Sequence, residues 1–126
     1  MKKTNYKVLD STETIKEDGN YISNNTCFQG AIECSHGLLV ELFGPPTWDK
    51  ESDDGKVKNE WVLLFDDGRV ATVYDWKEYD LPVENITDWH IGGKNKIITQ
   101  RVEYIIDKVQ SPIRRAETLQ LTSLPL

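Results

Sequence analysis

The sequence predicts an α+β domain: a small antiparallel sheet with a short helix and a longer C-terminal helix packed on it. Three observations carry this expectation. Glu60-Trp61-Val62-Leu63-Leu64-Phe65 and the run Arg69 to Trp76 flank Asp66-Asp67-Gly68, a hairpin turn where glycine readily takes positive φ. Ile97, Ile98, Val102, Ile105, Ile106 and Val109 recur at helical spacing. Leu38, Leu39, Leu42 and Phe43 do the same over a shorter stretch. The chain of 126 residues reads as one domain, 1–126. At this size a chain buries roughly two thirds of its unfolded surface, so the core needs no disulfide or metal support.

Residues 1–25 are polar, with Tyr6-Lys7-Val8-Leu9 as a short strand and Glu17-Asp18-Gly19-Asn20 as a turn before a further strand at Tyr21-Ile22. Thr26 to Glu33 has strand chemistry. Ser35 is the expected N-cap of a helix over His36–Phe43, Gly44 its C-terminal stop, and Pro45-Pro46 forbids continuation. Thr47 to Asn59 is a charged loop. In the return strand Val70, Thr72, Tyr74 and Trp76 share one face, and Ala71, Val73 and Asp75 the other. A polar loop, Lys77 to Asn85, leads to a third strand, Ile86 to Ile91, which Gly92-Gly93 is expected to break. The long helix then starts near Lys94 and stops at Ser111-Pro112. The remaining residues, 111–126, form a Leu-rich tail.

Composition narrows the function. The net charge of −6 gives little of the counterion release that drives binding to duplex nucleic acid. No apolar run approaches the roughly 20 residues that span a bilayer. The start, Met1-Lys2-Lys3-Thr4-Asn5-Tyr6, lacks the apolar core of a signal peptide. Two cysteines and two histidines, widely spread, match no zinc spacing and read as features of a reduced, cytoplasmic protein. No cofactor or metal is expected. His90 has no nucleophile beside it, and an Asp88-x-His90 pair alone is common, so catalysis is not the expected role.

Two local features suggest a ligand. Gly92-Gly93 followed by Lys94-Asn95-Lys96 places flexible backbone, free helix N–H groups and positive charge together, which favours phosphate. The same residues also read as a tight strand-to-helix turn with two surface lysines. Trp76, Tyr79 and Trp89 lie on strand ends or loops and offer faces for stacking a base. Trp61, Tyr74 and Trp89 read equally as core. If the second and third strands are antiparallel, Trp76 and Gly92 lie at opposite ends, and a site using both needs a second subunit.

The segments Gly37-Leu38-Leu39-Val40-Glu41-Leu42-Phe43-Gly44-Pro45-Pro46, Lys56-Val57-Lys58-Asn59-Glu60-Trp61, Asp67-Gly68-Arg69-Val70-Ala71-Thr72-Val73-Tyr74-Asp75-Trp76-Lys77 and Thr87-Asp88-Trp89-His90-Ile91-Gly92-Gly93 resemble, in this order, small bacteriophage proteins of the anti-Thoeris family, sponges for glycocyclic ADP-ribose. The resemblance covers residues 28–108 and is a pattern of short segments, with no single diagnostic motif. It implies a non-enzymatic protein that binds a cyclic signal made by a bacterial TIR-domain protein and withholds it from its effector in the host cytoplasm. It also implies a dimer or higher oligomer, with cyclic di- or trinucleotides held by some members. The family's site combines an aromatic residue, an asparagine and basic residues at a subunit interface. Here the asparagine falls on Asn95, the aromatic on Trp76, Tyr79 or Trp89, and the basic groups on Lys77, Arg101, Arg114 or Arg115. The Thr47–Asn59 loop and the polar N-terminus are where departures from the family are expected. The competing expectation is a protein–protein interaction module that inhibits a host enzyme through the acidic loops Lys50–Lys58 and Trp76–Asp80.

Overall fold

The computed structural model describes residues 5–122, with side chains described to residue 110. Five strands, β1 (Tyr6–Val8), β2 (Cys27–Glu33), β3 (Glu60–Phe65), β4 (Val70–Tyr74) and β5 (Asp88–Gly93), form one antiparallel sheet in the order β1-β3-β4-β5-β2. Helix α1 (His36–Phe43) follows β2, and α2 (Lys96–Thr122) follows β5. The α+β class and the antiparallel sheet expected from the sequence are what the chain forms.

Helix α1 forms as its caps dictate. The Ser35 hydroxyl accepts the Leu38 N–H at 3.1 Å, and Gly44 closes the helix at a φ of 79°. The β3–β4 hairpin turns at Gly68, also at positive φ, with Phe65 and Arg69 joined across the turn. Alternation in these strands divides the sheet into two faces. Trp61, Leu63, Phe65, Ala71, Val73, Trp89 and Ile91 point to the helices and join Leu38, Leu39, Phe43, Ile98, Val102 and Ile106 in one core. Glu60, Thr72, Tyr74, His90 and Gly92 take the alternate positions and belong to the opposite face.

Four expectations are corrected. Tyr21 forms only a single bridge, to Ile15, and no strand. The third strand begins at Asp88, because Val83–Asn85 is a 3-10 turn that delivers Ile86 to the core. Gly92 and Gly93 do not break that strand. They are its last two residues, held in the sheet by Phe28 and Cys27 of β2. Helix α2 begins at Lys96 and runs through Ser111 and Pro112 to Thr122. Proline forgoes one helical hydrogen bond there, but Arg114 to Leu121 are mostly strong helix formers, which favours continuation.

Candidate ligand-binding face

The open face of the sheet carries a row of rings. Tyr74 on β4 is in register with His90 on β5, and Thr72 with Gly92. Beyond them, Gly92 is in register with Phe28 on β2. The pairing of β2 with β5 slips at Gln29, so Phe28 opposes Gly92 and Gly30 opposes Ile91. That extra residue turns Phe28 to the open face, while Gly30 stays under Thr99 of α2. Phe28 and His90 lie 4.5 Å apart between ring centroids, His90 and Tyr74 5.6 Å, and His90 and Trp76 6.1 Å in a stacked orientation. Tyr74 meets Trp76 edge-on at 6.3 Å. Glycine at 92 is required here, since a Cβ would lie 2.4 Å from the Thr72 hydroxyl and 3.4 Å from the Tyr74 ring.

Trp76 is 38% exposed and Phe28 56% exposed, so the row has free ring surface. Two ammonium groups approach Trp76, those of Lys56 and Lys77, each 5.6 Å from its ring centroid. Lys77 adopts the left-handed conformation at φ 58° and donates its N–H to the Lys56 carbonyl at 2.8 Å, which joins the two segments. The Lys58 ammonium is bound by the carbonyls of Glu78 and Leu81, fixing the loop that follows Trp76. Asp75 is fully buried beneath, where its carboxylate accepts the N–H groups of Lys58 and Asn59.

Three groups of the face have shifted titrations, and burial raises that of the Tyr74 phenol. Burial pulls the His90 imidazole below its ordinary value of 6.5, with Asp88 and Glu78 opposing, so the ring is uncharged at neutral pH. Burial, helped by the charge of Asp75, pushes the Glu60 carboxyl up to about 7. Glu60 lies in register with Tyr74 and exchanges both backbone hydrogen bonds with Trp48.

The residues expected from sequence separate into groups. Trp76 and Lys77 lie at the end of the ring row. Tyr79 is exposed in the following loop, and among the described residues its ring meets none of the row. Trp89 does not face a ligand: it is fully buried, edge-on to Trp61 at 5.5 Å, with its indole N–H on the Cys34 carbonyl. At Gly93, Ile98 fills the space a Cβ would take, 2.9 Å away, and the carbonyl accepts the Gln29 side-chain amide. Lys94 and Asn95 are exposed at the helix start, and the Asn95 side chain accepts the Ile97 N–H at 3.1 Å as a cap. Arg101 lies on the helix side of the sheet, over Phe65; its Nη2 donates to Asp67 at 2.7 Å, while its buried Nη1 has no hydrogen-bond partner. Arg114 and Arg115 lie outside the residues with described side chains.

Trp76, beyond the end of β4, and Gly92, opposite Thr72, lie at different heights along the antiparallel β4–β5 pair. Phe28 and His90 close that gap within one chain, so the row needs no second subunit. Phe28, Tyr74, His90, Lys56 and Glu60, which share this face, were not among the residues expected to meet a ligand. The alternation in β4 pointed to Tyr74, but the register joining the others is a long-range property. Among the described residues no cluster of three or more His, Cys, Asp or Glu could hold a metal, and no helix is long and apolar enough to cross a membrane. Comparison of the chain with protein-family models, curated proteins and solved structures gives no match.

Proposed function

We propose that this protein binds and sequesters a cyclic nucleotide-like signal on its open sheet face, without degrading it. The observation that carries the reading is Trp76: a part-exposed indole at the end of a ring row, with the ammonium groups of Lys56 and Lys77 over its ring, where an incoming base would displace them toward its phosphates. A base stacks on such a surface, and the lysines attract its phosphates despite the acidic whole. This moves the anion contact from Gly92-Gly93 to the two lysines. The resemblance to anti-Thoeris sponges supplies the ligand class, a cyclic ADP-ribose isomer or a cyclic oligonucleotide, and the immune-evasion role.

The test is retention. The protein is incubated with cyclic nucleotides, freed of unbound ligand and heat-denatured, and the released material is analysed. Intact ligand is the expected result. Altered ligand would make the protein an enzyme, and no retained ligand would leave the interaction module. Trp76→Ala should weaken binding by roughly 1–3 kcal/mol while the circular dichroism spectrum is unchanged.

A further inference from the structure

Glu60 is a carboxyl that the fold leaves without a partner. It sits on the open face, partly exposed, between the Trp48 bridge and Tyr74. Among the described residues its carboxyl meets no hydrogen-bond donor and no cation; the one charge felt there is the like charge of Asp75. Lys58, two residues away, directs its ammonium to the carbonyls of Glu78 and Leu81. Trp76, two residues past the end of β4, packs edge-on at 6.3 Å against Tyr74, the residue in register with Glu60, so one flat ligand on the rings lies near both.

A ligand that completes this arrangement must be flat, to lie on the rings. It must be anionic at the end near Lys56 and Lys77. It must also bring N–H donors, preferably two side by side, to the carboxyl. A cationic side chain meets the last demand but is repelled by the two ammonium groups. Adenine, cytosine and uracil do not set two N–H groups next to each other in the way a carboxylate accepts. Guanine does, with its ring N–H and exocyclic amino group, and paired bonds to an ionised carboxylate are the strong ones.

We propose that Glu60 selects guanine as the base of the bound nucleotide, accepting both N–H groups of its Watson–Crick edge. The inference rests on the proposed function and narrows its ligand to guanine-bearing cyclic nucleotides. Binding fixes the ionised form, so preference for guanine over adenine grows as pH rises from 6 to 8. The charged or titratable neighbours are Asp75, Tyr74, Lys58 and His90. His90 affects the stacking of either base, so the ratio of affinities isolates Glu60.

The experiment measures binding of 3′,5′-cyclic GMP, IMP and AMP at pH 6 and pH 8, to the wild type and to Glu60→Gln. These diesters carry one phosphate charge throughout. At pH 8 cyclic GMP should bind the wild type about tenfold tighter than cyclic IMP, which lacks the amino group, since one charged hydrogen bond is worth roughly that factor. Glu60→Gln should abolish the guanine preference, because the amide no longer accepts two N–H groups as a carboxylate does, with melting followed to confirm folding. The wild-type pH dependence tests the same point without a mutation. Equal affinity for cyclic GMP and AMP, or a preference that survives Glu60→Gln, overturns the guanine assignment while Trp76-dependent binding stands. Failure of all three nucleotides to bind the wild type overturns the binding face with it.

Discussion

Glu60 costs the folded protein something at neutral pH. Its carboxyl titrates at about 7 in the fold against 4.5 ordinarily. Between those values the native state holds the proton more tightly than the unfolded chain. Stability is therefore full below about 4.5 and falls as pH rises to about 7. Glu60→Gln removes the penalty. Urea unfolding should show the variant more stable at pH 8, by on the order of 3 kcal/mol, and nearly equal to the wild type below pH 4.5. A wild type that gains stability over the variant from pH 5 to 8 would contradict the burial of this group. At the same scale, Trp76 was legible because it follows a strand and sits among charged residues. Phe28 and His90 were not, because their roles depend on one inserted residue at Gln29 and on which strands become neighbours. The packing at Gly93 was not legible for a related reason. The sequence shows that a side chain is missing but not that Ile98 occupies the space.

Among the elements, α1 was legible from cap to cap, since Ser35 and Gly44 satisfy its ends locally. The hairpin was legible for the same reason. The end of β5 and the start of α2 were not, because cross-strand partners on β2 and β4 keep two glycines in the sheet against their local preference. Asn95 then acts at the element scale. Its side chain holds the Ile97 N–H, and Asn95→Ala should cost about 1 kcal/mol of stability by urea denaturation. Nucleotide affinity should stay unchanged, in contrast to Trp76→Ala. Loss of affinity with unchanged stability would return Asn95 to the ligand, as the resemblance implied.

For the molecule as a whole, the sheet order places the helices on one side and the ring row on the other. Helix α2 also carries exposed apolar groups: Ile97 is 47% and Tyr104 48% exposed, seven residues apart and hence on one side of the helix. This pair supports the proposed homodimer, with contact through α2 and the ring row left open. Sedimentation should give a dimer mass at micromolar concentration, and Ile97→Glu with Tyr104→Glu should give a folded monomer. A wild-type monomer mass would remove the dimer but not the ring row, which forms within one chain.

The division between two faces also sorts the tryptophans. Trp61 and Trp89 are fully buried between the sheet and the helices, whereas Trp76 lies on the open side with two ammonium groups beside it. Their fluorescence therefore reports different events. A quencher in solution reaches Trp76 and the part-exposed Trp48 before the buried pair, and an occupant of the face shields Trp76. Red-shifted emission from Trp61 and Trp89 awaits exposure of the core. The chain thus carries separate optical signals for occupancy and for unfolding, without an attached dye.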